Sequence, residues 1–69
     1  MLRNKKYEEF KEEFNRLNRL KEFYWYLYEN TRTDEKYNHL GTYFFWDNHM
    51  SDLINKNLKM YRRYLKERA

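Results

Sequence analysis

The chain has 69 residues with no cysteine, no proline and one glycine, and its fifteen Lys and Arg against eleven Asp and Glu leave a formal net charge of +4. That length makes one small domain, which buries only about 60% of its unfolded surface, and the missing cysteines exclude disulfides and Cys-based zinc sites. His39 and His49 are the only histidines, so neither a structural metal nor a cofactor is expected, and self-association is the remaining route to completing a marginal core.

In the first element, Tyr7, Phe10, Phe14, Leu17, Leu20, Tyr24, Leu27 and Tyr28 recur at steps of three and four. That spacing predicts an amphipathic helix over about 4–30, with Asn4 as its candidate N-cap. The segment YEEFKEEF puts Glu8, Glu9, Glu12 and Glu13 on the water face. Further on, KEFYWYLYEN contains six consecutive apolar or aromatic residues, Phe23 to Tyr28. One helix face cannot bury six in a row: Phe23 and Trp25 fall at the margins of the apolar arc, and Tyr26 points away from it.

A turn over 31–34 is predicted at ENTRTDE, where the side-chain oxygens of Thr31, Thr33 and Asp34 suit turns and helix caps. The second helical pattern runs over 35–67 through Leu40, Tyr43, Met50, Ile54, Leu58, Tyr61 and Leu65. Gly41 either kinks it or splits off a short piece, Asp34 to Leu40. No stretch alternates with period two, so the expected fold is all-α: one domain over 1–69, an antiparallel hairpin of two long helices, with a short third helix at the turn if Gly41 divides the second. Both apolar arcs are wider than one neighbouring helix requires. The surplus predicts a second packing surface and hence a homodimer.

The tail KMYRRYLKERA is the most basic segment. Lys56, Lys59, Arg62, Arg63, Lys66 and Arg68 face one acid there, Glu67, and a hairpin brings Arg3, Lys5 and Lys6 close to them. Such a cluster is a phosphate footprint. Tyr61 and Tyr64 interleave with Arg62 and Arg63, an arrangement suited to single strands, where aromatics stack on bases and arginine holds phosphate. Phe45 and His49 continue the basic face toward the turn. The candidate nucleic-acid-binding residues are therefore Lys5, Lys6, Lys56, Lys59, Arg62, Arg63, Lys66, Arg68, Phe45 and Tyr64. Two blander explanations compete. Cations near a helix C-terminus complement its dipole, and the acids at 8, 9, 12 and 13 are placed to pair with Arg62 or Arg63.

Other motifs fail. A helix-turn-helix built on Gly41 needs a small residue where Tyr37 stands and a buried apolar one at Asp47. Ser51 has nothing to activate it, and His49 with Asp52 one turn later is a spacing common on solvated helices. No enzyme is expected. No apolar run approaches the roughly 20 residues of a membrane span. MLRNKK leads into a charged helix, not an apolar signal sequence, so a cytoplasmic location is expected.

An ungapped comparison with the Hha-type nucleoid modulators, over Glu9 to Leu58, keeps the apolar positions in phase and matches Arg16, Asn30, Tyr43, Asp47, Leu53 and Leu58. Asp47 here stands in WDNHM, and a basic tail replaces that family's C-terminal proline and tryptophan, so no function is carried over. In its short, cysteine-free, Lys-, Asn- and Tyr-rich make-up the chain also resembles small host-takeover proteins of large lytic phages of low-GC bacteria. This resemblance implies binding to a host protein or nucleic acid inside a bacterial cell. The leading expectation is a nucleic-acid-binding protein, with RNA or single strands ahead of sequence-specific duplex DNA. The alternative is a protein-binding inhibitor or adaptor presenting Trp25, Tyr26, Phe45 and Trp46.

Overall fold

The computed structural model describes residues 5–68, so the candidate cap Asn4 and the cation Arg3 lie outside the described residues. Three helices make up nearly all of it: α1 (Lys5–Asn30), α2 (Lys36–Lys56) and α3 (Leu58–Arg68). No strand occurs among the described residues. Cross-helix pairs fix an antiparallel arrangement. Trp25 meets Tyr43 at 5.3 Å between ring centroids, Lys21 Nζ reaches Asp47 at 2.8 Å, and Phe14 meets Tyr64 at 4.9 Å. As the chain runs back along α1 it therefore places α2 against the second half and α3 against the first. The expected all-α hairpin is the observed fold, drawn out to 52 × 20 × 19 Å.

Backbone groups, not side chains, close the turn. Lys36 N–H donates to the Thr33 carbonyl at 3.1 Å and Tyr37 N–H to that of Asp34 at 3.1 Å. Glu35, at the α2 N-cap, makes no side-chain capping bond. Thr33 and Asp34 therefore serve as turn residues but do not cap with their side chains as expected. At the other side of the turn, Asn30 Nδ2 donates to the Tyr26 carbonyl at 2.8 Å and ties off the end of α1.

Gly41 does not divide the second arm: α2 runs straight through it, and its φ is not positive. The third helix forms at the C-terminal end, and the break falls at Asn57. Asn57 leaves the helical region at φ −136°, its N–H tightens onto the Ile54 carbonyl at 3.0 Å, and its Nδ2 takes the Leu53 carbonyl at 2.8 Å. An asparagine side chain offers the backbone a substitute for the helical bond, so the Leu53 and Ile54 carbonyls both keep a donor at the break. Glycine only permits a departure from helix and supplies no such bond.

The core is thin. Tyr7, Phe10, Leu17 and Met50 are the only fully buried side chains among the described residues. Around them the rings of Phe10, Phe14, Tyr61 and Tyr64 pack at 4.9–6.5 Å between centroids and hold α3 on α1. Among the described residues no helix is long and apolar enough to cross a membrane.

Candidate nucleic-acid interface

Charge is distributed unevenly along the chain. α3 holds five cations and one acid, while the rest of the sequence balances at ten of each sign. The net +4 of the whole chain therefore equals that of this one helix. On α3, Tyr61 and Tyr64 face α1. Lys59, Arg62 and Lys66, spaced i, i+3 and i+7, fall within about 60° of one another on the opposite side. All three are exposed, and none forms an ion pair among the described residues. Lys5, Lys6 and Lys56 are likewise exposed and unpaired. Lys6 shares a shallow groove with Phe10, Leu53, Asn57 and Met60, which brings the first turn of α1 to the α2–α3 junction.

The other cations of the tail are engaged inside the protein. The Arg63 guanidinium lies 4.0 Å from the centroid of the Tyr7 ring, and its Nε donates to Glu67 Oε1 at 3.2 Å. Arg68 sits 5.3 Å over Tyr64. Tyr64 donates to Asn15 Oδ1 at 3.2 Å and packs its ring on Phe10 and Phe14. It is half-buried in the α1–α3 contact, not held out for a base. The expected ion pairs between the α1 acids and Arg62 or Arg63 do not form. Glu8 pairs with Lys11 and Glu13 with Arg16, each within α1, and Arg63 pairs with Glu67 within α3.

Glu67 completes a clamp that the sequence reading missed. Tyr7 is 1% exposed, and its phenol donates to Glu67 Oε2 at 2.6 Å, joining the two ends of the described chain. Lys11 Nζ stands 4.7 Å from the same ring. Burial, then the bond to Glu67, pushes the Tyr7 phenol up to about 12. That bond, with help from Arg63, holds the Glu67 carboxyl below its usual range. The Arg16 guanidinium does the same for Glu13, with bonds of 2.6 and 3.1 Å. One sequence signal was available for the clamp: Glu67 is the sole acid in a basic tail, at the hairpin position opposite an N-terminal tyrosine.

The four aromatics of the alternative partner surface do not gather on one face. Lys21 and Asp47 bridge α1 and α2 on one side; helical phase puts Trp25 with them, and Tyr26 follows at the outer edge of the same groove. There Asn18, Lys21, Glu22, Trp25, Tyr26, Glu29 and Tyr43 line an open groove of about 390 Å³. Phe45 and Trp46 lie on the other side, each against His49, at 4.6 and 5.6 Å between centroids. Phe45 is exposed; Trp46 is half-buried, and its indole N–H is buried with no acceptor among the described residues. Among the described residues no group of three or more His, Asp and Glu side chains is placed to hold a metal ion. The chain matches no family model, no curated protein and no solved structure.

Proposed function

We propose that the chain is a non-enzymatic binding protein whose α3 helix contacts the phosphates of a nucleic acid, RNA or single strands before specific duplex DNA. The observation that carries this reading is the concentration of the net charge on one helix, with Lys59, Arg62 and Lys66 forming an exposed stripe that makes no ion pair among the described residues. An unpaired stripe keeps its full attraction for a polyanion, because no internal ion pair must be broken first. Lys56, Lys5 and Lys6 extend the footprint around the end of the hairpin. Arg63, Arg68 and Tyr64 fix α3 in place and so present the stripe.

The test is fluorescence anisotropy of labelled single-stranded RNA, single-stranded DNA and duplex DNA at two salt concentrations. Three or four phosphate contacts on a single strand predict a slope of log affinity against log salt of roughly −2 to −3. The double reversal Arg62→Glu and Lys66→Glu should weaken binding at least tenfold, while Arg19→Glu, an exposed cation of α1 outside the footprint, should not. Absence of binding at low salt, or binding indifferent to the reversal, would remove the reading. A second reading, a protein-binding inhibitor or adaptor, draws on the exposed aromatics of the groove side. In that case substitution of Trp25 and Tyr26 abolishes partner capture and reversal of α3 charges does not.

A further inference from the structure

The two open sides of the hairpin differ in chemistry. The Trp25 side carries Lys21, Glu22, Glu29, Lys36 and Asp47. On the Phe45 side, α1 from Leu20 onward presents Leu20, Phe23, Leu27 and Asn30, and α2 before Asp52 presents Asn38, Thr42, Phe45, Trp46 and His49. No Asp, Glu, Lys or Arg interrupts that side between these limits. Phe23 and Phe45 stand there 52% and 53% exposed. Because Trp25 lies opposite Tyr43, Phe23 and Phe45 sit at nearly the same level along the hairpin, so the patch is continuous across both helices.

We propose that this charge-free side is a self-complementary interface through which two copies of the chain form a twofold homodimer. The surface area points to it. The chain exposes 5951 Å². A folded monomer of 9.0 kDa exposes about 4,850 Å² by the usual size scaling. The surplus, roughly 1,100 Å², belongs to the whole elongated body and not to this side alone, and it leaves room for the roughly 800 Å² that each partner contributes to a standard interface. Interface cores are depleted in charge, which describes this side and not the Trp25 side, where Trp25, Tyr37 and Phe44 are exposed among charged neighbours. A second copy is the occupant that fits. A twofold interface needs one patch complementary to itself, and an uncharged apolar patch meets that condition without any matching of signs. With four buried side chains among the described residues, a partner copy also supplies the missing core. The inference does not depend on nucleic-acid binding. It removes Phe45 from the candidates for base stacking and leaves the α3 stripe in the binding role.

The test is sedimentation equilibrium of the full chain from 1 to about 100 micromolar, with Phe23→Glu and Phe45→Glu on the proposed face and Tyr26→Glu as the control on the outer surface of α1. The expected result is a dimer whose dissociation constant rises about thirtyfold or more in the first two variants, as for hot-spot aromatics, and is unchanged in the third. For variants that fail to fold, single cysteines substitute, since the chain has none of its own. Thr42→Cys should oxidise to a covalent dimer much faster than Tyr26→Cys. A folded monomer across the concentration range, equal sensitivity of Tyr26→Glu, or equal rates for the two cysteines would overturn the proposal.

Discussion

Tyr7 is the residue on which the two ends of the described chain meet. It gives up its exposure to donate one short hydrogen bond to Glu67, with two cations beside its ring. Its raised pKa of about 12, against an ordinary 10.0, means that the fold favours the protonated phenol. That contribution is fully present below pH 10 and is lost as pH rises through 12. Glu67 and Glu13 carry the opposite sign. Their carboxyls are held below the usual 4.5, so their contribution is present above that pH and is lost as pH falls through their lowered folded values. Circular dichroism should therefore show loss of stability at both extremes. Tyr7→Phe should remove the alkaline arm between pH 10 and 12 and weaken the acid arm without abolishing it, because the Glu13–Arg16 pair remains. An alkaline arm unchanged in Tyr7→Phe would show that another group causes it. The buried Trp46 N–H works against the fold, since an unsatisfied donor costs about 1–3 kcal/mol.

At the scale of elements, the two residues that can interrupt a helix behave oppositely. Asn57 ends α2 because its side chain replaces the bond the backbone gives up. Gly41 sits inside α2 in helical conformation, exposed, with nothing within 4 Å of where a Cβ would stand. Its flexibility therefore only costs entropy. Gly41→Ala should stabilise the protein by about 0.5–1 kcal/mol, which for a domain this small raises the melting temperature by about 3–8 °C. A fall in melting temperature would mean that Gly41 is needed for an approach by a partner. α3 depends on neither residue for its charge. Its five cations divide by contact into Arg63 and Arg68, which lie over Tyr7 and Tyr64, and Lys59, Arg62 and Lys66, which face water. The division predicts that Arg63→Glu lowers stability, whereas Arg62→Glu lowers affinity for nucleic acid and leaves the melting temperature nearly unchanged.

At the scale of the molecule, the hairpin is longer than its core can support. A 52 Å body with four buried side chains among the described residues has nearly every helix face within reach of water. If two copies share the Phe45 side, melting temperature rises with protein concentration, because only the associated state is stabilised by mass action. Scanning calorimetry at 5 and about 100 micromolar measures this directly, and a concentration-independent transition would count against the dimer.

Helical periodicity, turn composition and the basic tail were legible in the sequence, because each depends on the spacing of residue types along one chain. The hairpin, its turn near 31–34 and the wide apolar arcs follow from steps of three and four and from one cluster of Thr and Asp. Which of the equally spaced candidates act was not legible. Gly41 read as the possible break and Asn57 did not, because the outcome rested on whether a side-chain amide could reach a carbonyl one turn back. The tail read as one block of cations. Only docking of α3 on α1 separated Arg63 and Arg68, held over tyrosine rings, from Lys59, Arg62 and Lys66, left facing water. Likewise Trp25, Tyr26, Phe45 and Trp46 read as one surface, and the antiparallel pairing put them on two. The sequence by itself determined the helices and their amphipathic character, because that is a matter of local period. The tertiary structure decided which charges are spent and which are free, because ion pairs and ring contacts form between residues that only the fold brings within a few ångströms.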